Sequence, residues 1–348
     1  MMDSMQLAMY FSSLLMLSVI CPIYNEEKYI ASCIESIMAQ DYPKDDLEVL
    51  FVDGMSNDHT REIIDSYLPQ CPYLRVLDNP QRIVPPAMNI GIRESKGDII
   101  IRLDAHAIFP KDYFSELVKY LMELDADNVG GVCRTLPVDD TIVCKSIANV
   151  LSSSFGMGNS YFRVGAKEVM EVDTVPFGCF HRELFEKIGY FDEELIRNQD
   201  DEFNGRIIKN GGKIYLLPQL VIDYYARDTI GKVYKMFYQY GLFKPLVNKK
   251  LGSPATLRQF FPLAFVLGLI IGPFFAFISP WFLLAYWAVL LAYFGIATMF
   301  SLRDTRNLKQ VLVQDWTYFV VHFAYGWGYI VGLYKVLFKK SFVAKVNR

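Results

Sequence analysis

Dense apolar runs alternate with helix-spaced ones along the first two thirds of the chain. Leu17-Ser18-Val19-Ile20-Cys21-Pro22-Ile23-Tyr24-Asn25 and Leu47-Glu48-Val49-Leu50-Phe51-Val52-Asp53 are rich in branched residues and run into turns, the pattern of strands covered on both faces. Between them Ile30, Ile34, Ile37 and Met38 share one face of a helix ending near Gln40. Glu26-Glu27 stand in its opening turn, where the helix dipole favours carboxylates. Asp58 can cap a second helix starting near His59. Tyr73 to Leu77 reads as a third strand, Pro86 to Lys96 as a helix, Ile99 to Leu103 as a central strand and Lys213 to Val221 as a late one. Strands and helices alternating at this spacing predict a parallel, doubly wound α/β sheet.

The pattern changes after Arg258. Phe260–Ile278 and Trp281–Phe300 carry no charge, are joined by Ser279-Pro280, and are each about long enough to cross a bilayer. Trp316 to Tyr334 is a third apolar stretch, interrupted by His322 and preceded by Gln314-Asp315. Residues 229 to 250, rich in Tyr, Phe, Met and Lys, form an amphipathic stretch suited to a membrane interface. Lys249, Lys250 and Arg258 precede the first span, and Arg303, Arg306 and Lys309 follow the second, which places both ends in the cytoplasm. A third full span would carry Lys339, Lys340, Lys345 and Arg348 outside, against that rule, whereas a re-entrant stretch would keep them inside. The length of the third run favours three spans. The expected division is an arm at 1–16, a catalytic α/β domain at 17–227, amphipathic helices at 228–258, a membrane region at 259–338 and a basic tail at 339–348. The apolar segment Met5 to Leu15 lacks a basic start and reads as a docking arm, not a signal peptide.

Composition narrows the partners. In 348 residues with a net charge of −3 there is no basic surface for a nucleic acid. Six cysteines stand singly at 21, 33, 71, 133, 144 and 179, a spacing that favours packed, reduced thiols over a zinc site or disulfide frame.

Three of the first four strands end in polar groups on the same sheet edge: Asn25 with Glu26, Asp53, and Asp104 with His106. Any one could be a turn or cap residue, and Asp104-Ala105-His106 alone reads as readily as an Asp-initiated turn. Together they describe a nucleotide-binding rim. No Gly-x-Gly-x-x-Gly or Walker loop follows the first strand, so phosphate charge must be met otherwise. Asp104 and His106 can share a cation, and a carboxylate with an imidazole suits Mn²⁺ or a similar ion more than a site of carboxylates and waters, which suits Mg²⁺.

Pro22-Ile23-Tyr24-Asn25-Glu26, Val52-Asp53-Gly54-x-Ser56-x-Asp58-x-Thr60 and Leu103-Asp104-Ala105-His106 resemble motifs of the family 2 glycosyltransferases of GT-A fold. So do Asn79-Pro80-x-Arg82-Ile83-Val84, Ala126-Asp127-Asn128-Val129-Gly130-Gly131, Val172-Asp173-Thr174-Val175 and the run from Phe191 to Glu202. The likeness covers roughly residues 17 to 270, and within the family it is nearest to membrane-bound glucosyltransferases of succinoglycan-type exopolysaccharide assembly. The broad family has Asp-x-Asp where this chain has Asp104-Ala105-His106; the narrower group carries the His form.

The resemblance implies a GT-A doubly wound mixed sheet followed by transmembrane helices, and an inverting transfer of a hexose, glucose first, from a UDP-sugar. The acceptor it implies is a polyprenyl-diphosphate-linked saccharide at the cell membrane, with other polysaccharide assembly proteins as partners. It assigns Pro22, Tyr24, Asn25, Glu26, Asp53, Arg82 and Asp104 to the nucleotide sugar, with Asp53 toward the uracil or ribose. Asp104 and His106 take the Mn²⁺ or Mg²⁺. Gln199-Asp200 matches the family's Glu-Asp pair, so Asp200 is the base, Arg206 supports that register, and Asp201 is the one-residue alternative. Gln199 removes a negative charge beside the base, which by itself lowers its pKa. The acidic run has a second explanation as a helix N-terminus. Ser152 to Ser160 reads as a linker or a lid over the acceptor, Phe177 to Phe180 as acceptor lining or core, and Arg227 as a phosphate or acceptor contact or a surface residue. Two rival functions remain at this level: a polyprenyl-phosphate sugar transferase, and a non-catalytic nucleotide-sugar-binding scaffold, for which Gln199 is the hint.

Overall fold

The computed structural model describes residues 15–342 except 255 and 276. The expected arm, save its last two residues, and the tail beyond residue 342 lie outside the described residues. In chain order the elements are β1 (Leu17–Ile23), α1 (Ile30–Met38), β2 (Leu47–Asp53), α2 (Thr60–Tyr67), β3 (Leu74–Asp78), α3 (Val84–Glu94), β4 (Ile99–Arg102), β5 (Ala107–Ile108), α4 (Tyr113–Glu123) and β6 (Asn128–Leu136). Then come α5 (Ile142–Leu151), α6 (Ser154–Met157), α7 (Tyr161–Val164), β7 (Met170–Glu171), β8 (Cys179–His181), α8 (Arg182–Ile188), α9 (Gln199–Lys209) and β9 (Ile214–Tyr225). Four helices close the order: α10 (Ile230–Leu251), α11 (Phe260–Phe275), α12 (Pro280–Asp304) and α13 (Leu308–Leu337).

The chain forms two compact units. Of the described residues, the first holds 15–134 and Gly165–Tyr224, and the second holds Thr135–Val164 and 225–342. The expected single domain at 17–227 is therefore interrupted: the segment carrying α5, α6 and α7 belongs to the helical unit. The reason lies in α5, whose Ile147, Val150 and Leu151 are buried in one cluster with Val233, Phe237, Tyr318 and Val321. Sequence periodicity marks an apolar face but does not say which layer covers it.

The first unit is one mixed sheet in the order β3-β2-β1-β4-β8-β6-β9-β5, with β7 beside β9. β1 runs parallel to β2 and β4, and β2 parallel to β3. β8 is antiparallel to β4, with Ile101 opposite Cys179. All seven residues of β1 and of β2 are buried, which explains runs too apolar for one-sided strands. Phe180 on β8 packs edge-on against Phe203, 5.5 Å away, and Phe191 stacks on Phe203 at 4.5 Å. Phe180 and Phe177 are thus core residues, the packing alternative and not an acceptor lining. All six cysteines are buried and free.

The second unit is organised on α13. α10 runs against it so closely that a Cβ on Gly241 would collide with the Tyr325 carbonyl, and one on Gly328 with the Tyr238 carbonyl. The stretch expected to lie in a membrane interface is thus one helix with a buried face, including Val233, Phe237, Gly241, Leu242 and Phe243. The Ser152–Ser160 stretch is pinned: the Phe155 ring lies 5.0 Å from Tyr318 and 5.3 Å from His322. His322 Nε2–H donates to the Phe155 carbonyl at 3.0 Å, so its Nδ1 accepts from the Tyr293 hydroxyl at 2.7 Å.

Among the described residues two helices are long and apolar enough to cross a membrane, Leu257–Phe275 and Pro280–Asp304. Their apolar side chains face outward, with Phe261 76%, Trp281 78% and Leu291 71% exposed. α13 differs. Gln314, Asp315 and Thr317 are buried, and the Asp315 carboxylate accepts from Thr298 and Ser301, both at 2.6 Å. Gln314 and Asp315 are met by α12 and Thr317 by the Val313 carbonyl of its own helix, which is how a less apolar sequence can form a helix of 30 residues inside this bundle.

Candidate active site

The carboxyl ends of β1, β2, β3 and β4 lie side by side because those strands are parallel and adjacent. After β1 the chain turns at Asn25, whose φ of +55° is in the left-handed region that Asn tolerates. The Asn25 N–H donates to Ser56 Oγ at 2.9 Å, its Oδ1 accepts from the Asn57 N–H at 3.0 Å, and the Glu26 N–H donates to Thr60 Oγ1 at 2.7 Å. α2 starts at Thr60, one residue past the expected start, with His59 in the N-cap position; Asp58 lies one residue further out and accepts from the Thr60 N–H at 3.0 Å. The turn after β1 is therefore stitched to the loop after β2.

Asp53 ends β2 fully buried. Its carboxylate accepts from the Ser56 N–H at 3.0 Å, from Ser56 Oγ at 2.6 Å and from Arg61 Nε at 2.8 Å, while Arg61 also pairs with Asp78. Its evident work is to hold this loop; expected to face the base or ribose, it is closed off by Ser56 and Arg61. Pro22 is a second departure. It sits inside β1 opposite Val52 and is buried, so it shapes the strand end and offers no surface to a ligand. Tyr24 is half-buried, and Asn25 and Arg82 are exposed on this edge, Arg82 with a φ of +60° in the turn after β3.

Beyond β4, the Leu103 N–H still bonds to the Ile20 carbonyl at 2.9 Å, and a turn then closes from the Ala107 N–H to the Asp104 carbonyl at 3.3 Å. Asp104 and His106 lie on this turn with side chains 18% and 16% exposed. The His106 ring sits near Tyr224, 5.3 Å away, and Tyr29, 6.4 Å away, with Nδ1 3.7 Å from Glu26 Oε1. Among the described residues no cluster of three or more His, Cys, Asp or Glu side chains forms a ready metal cage. Asp104 and His106 fit a cation that draws its other ligands from a diphosphate and water, and one oxygen with one nitrogen suits Mn²⁺.

Asp200 joins the group from the first turn of α9, which starts at a left-handed Asn198 with φ +62°. Arg102, the last residue of β4, donates through Nη1 to Asp200 Oδ1, and its Nη2 lies 3.5 Å from Asp104 Oδ1. Burial pushes the Asp200 carboxyl up and the Arg102 charge pulls it down; the net direction is up. Arg206 holds the helix elsewhere, pairing with Glu202 at 2.7 Å and donating to the carbonyls of Ile188 and Tyr190, both at 2.6 Å. Arg227 belongs to the helical unit and is half-buried. Arg102 is the site residue that the motifs did not announce. Its signal is a charge closing the run Ile99-Ile100-Ile101 in a strand buried on both faces, which is costly unless paired.

A mixed sheet with polar groups at the ends of its parallel strands, an Asp-x-His turn and a facing carboxylate is the arrangement of the GT-A fold. The profile of Glycosyl transferase family 2 matches residues 18–189. Over 242 residues, 67% of this chain and 74% of the relative, it is 32% identical to the dolichyl N-acetyl-alpha-D-glucosaminyl phosphate 3-beta-D-2,3-diacetamido-2,3-dideoxy-beta-D-glucuronosyltransferase of Methanococcus voltae. It is 30% identical over 248 residues, 71% of this chain and 74% of the relative, to the succinoglycan biosynthesis protein ExoA of Rhizobium meliloti (strain 1021). The mannosyltransferase PcManGT of Pyrobaculum calidifontis, solved with GDP-Man and Mn²⁺, superposes with a TM-score of 0.61 over 97% of this chain and 98% of its own at 20% identity, a likeness of fold. The chain belongs to glycosyltransferase family 2.

Proposed function

We propose that this enzyme moves a hexose, glucose before others, from a UDP-sugar to a lipid-linked saccharide with inversion, in exopolysaccharide or cell-surface glycan assembly. The observation that carries the reading is the meeting of Asp104 and Asp200 on Arg102 at the end of the central strand, with His106 on the same turn as Asp104. One relative is named for transfer onto a dolichyl-linked sugar phosphate and another for succinoglycan biosynthesis, which supports a lipid-linked saccharide over a bare lipid phosphate.

Tyr24, Asn25 and Arg82 border the nucleotide, Asp53 holds the loop beneath them, and Glu26, expected to join them, is buried facing His106. Asp104 and His106 would hold Mn²⁺ or Mg²⁺, which would supply Lewis-acid stabilisation to the departing diphosphate. Asp200, ionised, takes the proton of the acceptor hydroxyl as that oxygen bonds to the anomeric carbon and the bond to the UDP oxygen breaks. Adjacent helical residues diverge by about 100°, so Asp200 and Asp201 cannot both serve.

Membranes containing the protein, given a panel of labelled UDP- and GDP-sugars, should yield label from UDP-glucose in a lipid-linked saccharide. Label on bare polyprenyl phosphate instead moves the acceptor, and a protein that binds UDP yet transfers nothing from any donor refutes the enzyme reading. The two apolar helices anchor it with Arg258 and Arg303 on the cytoplasmic side. Cysteines introduced at 258 and 304 should then resist an impermeant thiol reagent in intact cells, and labelling of either reverses the orientation.

A further inference from the structure

Arg102 is held between carboxylates from two elements, Asp200 on α9 and Asp104 on the turn after β4. It is 7% exposed and fixed at its root, since its own N–H donates to the Gly178 carbonyl at 3.0 Å and it pairs with Ile20 of β1. The grip is uneven. Nη1 pairs with Asp200, Nη2 reaches Asp104 only at 3.5 Å, and Nε is buried with no hydrogen-bond partner among the described residues. One guanidinium thus serves two anions, firmly on one side and loosely on the other, while one of its own donors goes unmet. A buried arginine that leaves a donor unmet has not found its best arrangement, and the loose contact is the one a competing cation can take.

Asp104 is also the carboxylate proposed above to hold the divalent ion, so this step rests on that reading. We infer that Arg102 is a positioning residue that stands in for the divalent cation in the donor-free enzyme: it occupies Asp104 and holds Asp200 in place until donor diphosphate and cation arrive together. The turn supplies only an aspartate and a histidine, too few ligands to displace a resident guanidinium without the diphosphate oxygens. When Asp104 turns to the cation, Arg102 remains on Asp200 and keeps the base fixed to the sheet. The consequence is ordered binding, in which free metal ion is excluded and the metal–nucleotide pair is admitted.

The test is Mn²⁺ binding by the full-length protein in detergent, read by the electron paramagnetic resonance of free Mn²⁺, with and without UDP. Wild type should bind Mn²⁺ at least about tenfold more tightly with UDP than without it. Arg102→Met should bind Mn²⁺ without UDP about tenfold more tightly than wild type, and lose about a hundredfold in kcat with little change in the KM for donor. Arg102→Lys, keeping one charge but not the fork, should fall between them in both readouts. If the thermal melt shows that Arg102→Met does not fold, Arg102→Lys carries the test by the same comparison. Unchanged Mn²⁺ affinity without UDP in a folded variant, beside a wild type that behaves as stated, overturns the inference alone. A wild type that binds no Mn²⁺ even with UDP overturns the donor-site reading and the inference with it.

Discussion

The two units of this chain bury opposite things. In the α/β unit β1 and β2 are apolar and buried throughout, and the working polar groups, Asn25, Asp104 and Asp200, stand at strand and helix ends with part of their surface open. In the helical unit Trp281, Leu291 and Phe261 point outward while Gln314, Asp315 and Thr317 are inside. The first arrangement suits water and the second an apolar surround, because an exposed leucine costs nothing in lipid and a lone carboxylate there costs several kcal/mol. The exception in the α/β unit teaches the same rule. Arg102 is buried among isoleucines only because two carboxylates meet it, as Thr298 and Ser301 meet Asp315.

Breaking the polar edge of the first unit should have the largest effect. Asp104→Ala should lower kcat by about a thousandfold or more, near 4 kcal/mol of transition-state stabilisation, and weaken Mn²⁺-dependent UDP binding. Full activity of the unmodified enzyme in excess chelator would remove Asp104 and His106 from that role. Next, Asp200→Asn should cost about a hundredfold in single-turnover rate with donor affinity nearly unchanged, and Asp201→Asn much less. The reverse order would move the base by one residue.

A break in the helical unit should leave chemistry alone. Gly328→Leu puts side-chain atoms where the Tyr238 carbonyl lies, so unfolding stability should fall by about 1–3 kcal/mol or more, read as a lower melting temperature, while UDP affinity holds. A loss of UDP affinity at temperatures where the variant is folded would count against independent roles. Asp315→Ala should cost less, about 0.6–1.7 kcal/mol, because it strands two hydroxyls that can find other acceptors. The smallest effect is on pH. Asp200 must be ionised to accept a proton, and burial raises its carboxyl above the ordinary value of about 4 while Arg102 opposes that rise. The acid limb of kcat should therefore lie above the ordinary aspartate range, and Arg102→Met should move it to higher pH still. An acid limb at or below the ordinary range in wild type would mean that the titrating group is not Asp200.

Much of the α/β unit was legible because its strands carry their signal locally. Leu47–Asp53 was readable to within a residue, and the Asp-x-His turn is visible as soon as the central strand is. α4, β6 and α5 were not, and what covers them is remote in sequence: α5 packs on Tyr318 and Val321. The same limit hid the core role of Phe180, which depends on Phe203.

By itself the sequence determined the alternation of elements, the apolar length of the two candidate spans and the motif residues at three strand ends, because each is written within a few turns or a few strand residues. Tertiary structure decided the rest. It put 135–164 into the helical unit, closed Asp53 behind Ser56 and Arg61, and turned the acidic start of α9 toward the end of β4. Arg102 and Asp200 are 98 residues apart, and no periodicity links them. Their pairing is fixed by burial, since a guanidinium at the end of a buried strand must find its counter-charge wherever the fold brings one.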